Sequence, residues 1–272
     1  MKMNMQTLQH ALARARREVA RRAAALQPRN LVPVLAVPLA FTGAPLSVPA
    51  HHIEPPDLPA FASIEPATAL KQAFFEFLQP IVAAENDVIR AERQRLLRLR
   101  ERLASGQALE REQRRWLARL ADIYQYELPR RATASELDKL LLRVDVVPSS
   151  LVLVQAALES GWGRSRFARK GNNLFGQWCF APGCGMVPAR RDPGRDHELA
   201  QFASARDAVH AYLLNLNSFH RYAEFRQLRA AQRRRGKLSG IALAAGLSAY
   251  SERRDEYVAK VRAMIRANDL ES

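Results

Sequence analysis

Apolar residues return at three- and four-residue steps from about residue 67 onward, the spacing that gathers them on one face of an α-helix. Phe74, Phe77, Leu78, Ile81 and Val82 open this stripe. Pro80 within it predicts an end or a kink to the first helix, because proline lacks an N–H and its ring clashes with the preceding turn. Ile89, Leu96, Leu99 and Leu103 carry the stripe through a segment rich in Arg and Glu that stops at Ser105-Gly106. Leu109, Trp116, Leu117, Leu120, Ile123 and Tyr124 mark a second helix. Thr133-Ala-Ser-Glu136 predicts a capping box at the start of a third, each side chain satisfying an exposed amide of the other residue. The charge-rich stripe reads as an antiparallel helical hairpin packed on the rest, since its heptads are too few for a functional coiled coil.

A different pattern follows. Residues 151–158 are apolar on every face except at Gln155, which predicts a helix buried all round. It brings one carboxylate, Glu159, to its end, with Gly161 and Gly163 directly after. Asp192-Pro-Gly194 is a turn signal between two short alternating stretches, hence a small β-hairpin with His197 and Glu198 near a strand start. Ser204 is placed to cap a helix carrying Val209, Tyr212, Leu213 and Leu216 on one face. Further helices are expected around 221–232, 238–245 and 253–267, separated by Gly236 and Gly246.

Before residue 67 the periodicity is absent. No Lys or Arg lies between Arg29 and Lys71, and that gap opens with the apolar run Leu31-Val-Pro-Val-Leu-Ala-Val-Pro-Leu-Ala-Phe41 and later reaches Val48-Pro49-Ala50. A basic n-region, an apolar stretch of about 7–15 residues and a small-x-small site describe a secretory signal. The run is short for a membrane span of roughly 20 residues. An uncleaved anchor and a non-exported leader are the alternatives. Residues 44–66 hold six more prolines and read as an extended linker. The resulting division is a leader over 1–50, a Pro-rich linker over 51–66, a helical region over 67–145 and a catalytic domain over 146–270.

Composition changes this picture in two respects. Only two cysteines occur among the 272 residues, which excludes a disulfide-framed scaffold and a four-cysteine zinc site. The formal charge of +15 is distributed unevenly, +6 over residues 1–30, zero over 31–150 and +9 over 151–272. Such a surface favours polyanions or anionic membranes. No helix-turn-helix, zinc finger or RNA-binding aromatic motif accompanies it, so a specific nucleic-acid partner is not expected. The Arg233-Arg-Arg-Gly-Lys237 run reads first as a solvated face, with contact to anionic wall peptides or polymers as the functional alternative.

Glu159 is the residue in which chemistry concentrates. A carboxyl against apolar walls stays protonated to higher pH because desolvation disfavours its charged form, and a proton donor to a glycosidic oxygen needs that property. The competing reading is a solvated glutamate at the end of a core helix. Cys179 and Cys184 bracket Phe-Ala-Pro-Gly, a loop that an oxidising compartment would allow to close as a small disulfide, against the alternative of two reduced thiols. His197 and His210 with these cysteines do not make zinc spacing, and neither a metal nor a cofactor is expected.

Several of these segments together resemble the glucosaminidase domain of glycoside hydrolase family 73, in particular its Bax-type branch. They are Ala156-Ala-Leu-Glu-Ser-Gly-Trp-Gly163, Gly171-Asn-Asn-Leu-Phe-Gly176, the Glu198 hairpin and Tyr250-Ser251, with Lys71-Gln-Ala-Phe-Phe-Glu-Phe-Leu-Gln-Pro-Ile81 and Leu140-Leu-Leu-Arg-Val-Asp-Val-Val-Pro148 upstream. The likeness spans roughly residues 70–268. It implies a mainly helical, α+β lysozyme-like fold with a small β-hairpin lobe. It also implies cleavage of the β-1,4 bond after N-acetylglucosamine in the glycan strands of peptidoglycan.

By the same resemblance Glu159 matches the family's proton donor, Glu198 a second and less settled carboxylate, and Tyr250 a cleft tyrosine. Trp162, Asn173, Phe175 and Tyr222 are the substrate-binding candidates, although Trp162 and Phe175 lie where aromatics are more often core than sugar platforms. The second carboxylate can serve as base or nucleophile, or can position groups while the substrate's own acetamido oxygen attacks. Amide-bond cleavage, lytic transglycosylation and a non-catalytic wall-binding module are the competing functions. The expected setting is the periplasm or cell envelope, reached by export or by N-terminal anchoring in the membrane, and the expected state is a monomer.

Overall fold

The computed structural model describes residues 57–179, 183–188, 198–250 and 254–271. The leader, the first part of the linker, the Asp192-Pro-Gly194 turn, His197 and Ser251 lie outside the described residues. Among the described residues, no helix is long and apolar enough to cross a membrane.

Helix α1 (Ala67–Ala104) is 38 residues long and serves two cores. Leu70, Phe74, Leu78, Ile81, Val82 and Ile89 enter the main core, whereas Leu96 and Leu99 enter a second one. Of the end or kink expected at Pro80, the end is not there, and the helix continues through the proline. Pro80 and Glu76, whose carbonyl loses its partner, both lie on the solvent face. Water can take the place of the lost hydrogen bond, while Leu78, Ile81 and Val82 keep the opposite face buried. Burial of about 1.5–3 kcal/mol for each such side chain is enough to offset the roughly 3 kcal/mol cost of an interior proline.

Helices α2 (Arg111–Ile123) and α3 (Ala134–Leu141) fold back on the second half of α1, giving the expected helical hairpin a core of Leu96, Leu99, Leu117, Leu120, Leu137 and Leu140. Only half of the capping box forms at α3. The Thr133 hydroxyl accepts from the Glu136 amide at 3.2 Å. The Glu136 carboxylate, however, accepts from the Tyr126 hydroxyl and the Lys139 ammonium instead of returning to Thr133.

Helix α4 (Ser149–Ser160) is the centre of the main core, with Leu151, Val152, Leu153, Val154, Ala156 and Ala157 all buried. Around it stand α1, α8 (Gly240–Leu243) and α9 (Arg254–Ala267), with α6 (Ala205–Ser218) laid against α1. Helix α5 (Arg166–Gly171) and helix α7 (Ala223–Arg234) complete the set. Ser204 caps α6 as expected, accepting from the Asp207 amide at 3.1 Å.

The β-lobe is a three-stranded antiparallel sheet rather than a two-stranded hairpin, in the order β1 (Trp178–Cys179), β3 (Glu198–Ala200), β2 (Gly185–Met186). Strands of two or three residues are too short to show alternation, so β1 could not be read from the sequence. The mainly helical class with a small β-lobe is borne out.

Between α3 and α4 the chain passes Asp145, which is buried and takes both oxygens of its carboxylate to Arg233, with Arg93 at 3.4 Å. Arg229 is 0% exposed and donates to the carbonyls of Leu142, Asp145 and Val146 and to Asn217 Oδ1. One step further, Asn86 on α1 exchanges two hydrogen bonds with the Val147 backbone, at 2.9 and 3.1 Å. These contacts fix where α4 begins.

Glu85 on α1 meets two groups of α6, the Arg206 guanidinium at 2.6 Å and His210 Nδ1 at 2.9 Å. The hydrogen bond to Glu85 holds His210 above its ordinary pKa. Burial works to raise Glu85, but its bonds to His210 and Arg206 outweigh that and hold it below the usual carboxyl value. The His210 contribution to stability is therefore complete below the ordinary histidine value and lost as pH rises through the raised one. Glu85 contributes above the ordinary carboxyl value, and its share is lost as pH falls through the lowered one. The His210 ring is more than half exposed, so its share is under about 1 kcal/mol. Calorimetric Tm measured against pH is expected to decline above neutrality in the wild type, and His210→Ala is expected to flatten that decline.

Candidate functional site

Glu159 stands in the last turn of α4, half-buried, just before the helix stops at Gly161 in the left-handed conformation. Ser160 secures the stop, its hydroxyl donating to the Ala156 carbonyl at 2.6 Å and accepting from the Gly163 amide at 2.8 Å. Gly163 has φ +74, and a Cβ there would lie 2.4 Å from the Phe61 ring, so backbone and packing both demand glycine. Trp162 turns away from the carboxylate and seats its ring on α1, edge-on to Phe74 and Phe75 at 5.7 and 5.3 Å. The Lys71 ammonium lies 5.6 Å from that ring. This tryptophan anchors the turn to α1.

The segment after α5 reaches the carboxylate from the other side. Asn173 is 1% exposed and spends its side chain on the backbone, donating to Gln177 and Ala200 carbonyls at 2.8 and 2.9 Å and accepting from the Gln177 amide at 3.0 Å. Phe175 is 1% exposed and stacks on Tyr212 with centroids 4.1 Å apart. Both build the loop from inside and present no side-chain surface to a ligand. What the loop delivers is Gly176, at φ +62, where a Cβ would come within 3.6 Å of Glu159 Oε2. The two sequence motifs thus converge on one carboxylate, one through its side chain and the other through bare backbone.

Beneath Glu159 lies a set of tyrosines. The Tyr257 hydroxyl on α9 donates to Glu159 Oε1 at 3.0 Å and accepts from Gln155 Nε2 at 2.9 Å. The Gln155 carbonyl accepts in turn from the Tyr212 hydroxyl. Tyr250 stacks parallel to Tyr257 at 5.6 Å and donates its hydroxyl to the Phe175 carbonyl at 2.8 Å, tying the loop to the same cluster. Tyr222, buried, lies 6.3 Å from Tyr250. Burial pushes the Glu159 carboxyl above its ordinary pKa, opposed in smaller measure by the Tyr257 hydrogen bond and the Lys260 charge. Burial also raises the tyrosines, Tyr222 to about 12, so these phenols stay protonated and act as donors.

Glu198 has a different environment. It is 8% exposed on β3, and its two oxygens accept from the amides of Gly183 and Gly185 at 3.1 and 2.8 Å. Gly183 lies within the loop that the Cys179–Cys184 disulfide closes, with Cα atoms 6.1 Å apart, and Gly185 directly follows it. Cys179, Cys184 and Glu198 are the one group among the described residues whose donor atoms could converge on a metal ion. With the sulfurs bonded to each other, neither is a thiolate, and one carboxylate is what remains.

Of the expected residues, the structure gathers Glu159, Phe175, Tyr222 and Tyr250 around one spot, and places Trp162 against α1 and Glu198 under the disulfide loop. Tyr257 and the role of Gln155 were missed. Gln155 did carry a signal, as the lone polar residue of an apolar helix, four positions before Glu159 and hence on the same face. Tyr257 carried none, because its partner lies 98 positions away.

Residues 134–270 match the glucosaminidase family, described as mannosyl-glycoprotein endo-beta-N-acetylglucosaminidase. The chain belongs to that family and is a glycosidase-type hydrolase. A curated relative, "Protein bax" of Escherichia coli (strain K12), is 34% identical over 217 residues, which cover 78% of this chain and 74% of that one. Among solved structures, the catalytic domain of the autolysin Auto from Listeria monocytogenes aligns over 78% of this chain and 91% of its own, with a TM-score of 0.38 and 17% identity.

Tyr257→Phe removes the phenol that, among the described residues, donates to Glu159. The carboxyl is expected to rise further, so the alkaline limb of the pH–activity profile moves to higher pH while kcat falls. A profile that superimposes on the wild type would show that this hydroxyl does not tune the carboxyl.

Proposed function

We propose that this protein is an exported peptidoglycan hydrolase that cleaves the β-1,4 bond after N-acetylglucosamine, with Glu159 as general acid. One observation carries the reading. Glu159 is a half-buried carboxyl held above its ordinary pKa, at the meeting point of two motifs and beside the Gly176 backbone. Such a group keeps its proton to higher pH than an ordinary carboxyl does and can hand it to the glycosidic oxygen as the C–O bond breaks. The family's description as an endo-β-N-acetylglucosaminidase supports N-acetylglucosamine as the residue on the cleaved side.

Positive charge then develops at the sugar carbon. Both Glu198 oxygens are engaged by loop amides, which favours the substrate's own acetamido oxygen as the nucleophile. Its bond to the sugar carbon forms as the leaving glycan departs. Water opens the resulting ring, giving its proton to the Glu159 carboxylate and restoring the acid. Glu198 in this scheme holds the disulfide loop through its backbone amides. Export, by a cleaved or anchoring leader, places the enzyme beside its polymer and suits the Cys179–Cys184 bond.

Glu159→Gln keeps the shape and removes the proton, so turnover of purified peptidoglycan is expected to fall by about 10²–10⁴-fold with Tm unchanged. Glu198→Gln is expected to lose less, and a thiazoline-type analogue to inhibit. Mass spectrometry of the released fragments should find reducing N-acetylglucosamine ends. Anhydro-muramyl ends would identify a transglycosylase, and free stem peptides an amidase. Residues 1–60 fused to a reporter active only after export should give signal in a bacterial host, and a reporter that stays cytosolic would remove the envelope assignment.

A further inference from the structure

Of the four side chains expected to touch substrate, Asn173, Phe175 and Tyr222 are buried and Trp162 packs its ring on α1. A glycan strand passing Glu159 would find little surface on any of them. Among the described Trp, Tyr and Phe residues, two are exposed, Trp178 at 51% and Phe219 at 38%. Single exposed apolar residues are ordinary on a protein surface, and Val88, Leu97 and Ile123 on α1 and α2 are of that kind. Position sets the two rings apart.

Trp178 follows Gly176 by two residues. A Cβ on Gly176 would lie 3.6 Å from Glu159 Oε2. Consecutive Cα atoms are about 3.8 Å apart, so the Trp178 Cα is within about 13 Å of that oxygen. Strand residues alternate between faces, and cross-strand partners share one. Cys179 pairs with Glu198, so the disulfide and Glu198 take one face of the sheet, while Trp178, Leu199 and Met186 take the other. Met186 abuts Gly171, where a Cβ would come 2.5 Å from its Cε. The Trp178 face therefore turns toward the segment that runs from α5 to Gly176, and β1 is at the edge of the sheet.

Phe219 directly follows α6 and is linked to the carboxyl by a run of rings. Its centroid is 6.3 Å from that of Tyr222, Tyr222 is 6.3 Å from Tyr250, and Tyr250 stacks on Tyr257, the donor to Glu159. Phe219 is the end of this run that reaches solvent, with exposed His220 beside it at 4.4 Å.

We infer that Trp178 and Phe219 are sugar-stacking residues for a glycan strand that lies across Glu159. The inference rests on the proposed substrate and adds where the strand is held. In β-1,4-linked N-acetylglucosamine every ring substituent is equatorial, so both faces of each sugar carry axial C–H groups while the polar groups sit at the rim. A flat aromatic ring covers such a face and removes apolar surface from water, and the rim keeps its hydrogen bonds to solvent. Rings at some remove from the cleaved bond bind substrate and transition state alike. By holding neighbouring sugars they set one glycosidic oxygen against the Glu159 proton.

The probe is the β-1,4-linked tetramer of N-acetylglucosamine, titrated by calorimetry into protein carrying Glu159→Gln, with mass spectrometry checking that the ligand stays whole. In that parent, Trp178→Leu and Phe219→Leu keep apolar bulk without a flat face, and each should weaken binding about tenfold or more. Trp178→Phe keeps a ring and should stay within about threefold. Ile123→Ala alters an exposed apolar residue at the end of α2 and should bind like the parent. Fluorescence reads the contact directly. The ligand should shift tryptophan emission to the blue, and at saturation the shift should vanish in Trp178→Leu but persist in Phe219→Leu. Thermal melts check that each variant folds. Leu variants that bind as tightly as the parent overturn the inference, as does a loss in Trp178→Phe equal to that in Trp178→Leu. A tetramer that does not bind the parent overturns it too, whatever ends the wild type releases. The proposed reaction is judged apart from this, by those reducing ends, so the stacking role can fail while the glycosidase reading stands.

Discussion

A helix with no polar face must be surrounded, and α4 sets that demand for the whole fold. Leu151, Val152, Leu153 and Val154 leave its axis in four successive directions and are all buried, so α1, α8 and α9 have to pack around it. Every polar group that α4 carries must then be satisfied from within, since an unpaired buried donor or acceptor costs about 1–3 kcal/mol. Ser160 turns to the backbone on either side of the helix stop. Ser150 at the other end bonds Glu271. Gln155 takes two tyrosines, and one of these reaches Glu159. The environment of the carboxyl is thus a consequence of satisfying a core glutamine.

The same logic explains why charge accumulates where the structure turns. The carbonyls at the end of α3 and along the Leu142–Val147 segment have no helix to bond to, and arginines from α1 and α7 supply the donors. An arginine offers five donors in a fixed fork, so one side chain closes several such carbonyls. That economy leaves more buried cations than anions on this flank. Part of the protein's basic excess is therefore a backbone-satisfying device before it is a surface for partners.

Much of the architecture was legible because long apolar stripes and all-round apolar runs are strong signals. The span of α4, the hairpin helices and the Ser204 cap follow directly from residue order. Failures fell where a local rule met a tertiary force. Pro80 should break a helix, yet its freed carbonyl faces water while its neighbours fill a core. Glu136 should complete a capping box, yet a tyrosine hydroxyl and a lysine compete for its oxygens. Strand β1 has two residues and exists because β3 lies beside it. The site shows the same division, with Glu159 and the Gly176 motif readable locally, and Tyr257 supplied from a distant helix.

The two glutamates illustrate how hydrogen-bond partners divide labour between like residues. Among the described residues, Glu159 has one phenol on one oxygen and glycine backbone near the other. Its partner is neutral, which leaves burial as the dominant influence on its proton. Glu198 has both oxygens committed to backbone amides across a strand, in a loop that a disulfide already shortens. If Glu198 swung away, both amides would be left as unsatisfied donors, so these bonds hold the side chain in place. One carboxyl is thus set mainly by burial and the other by backbone hydrogen bonds.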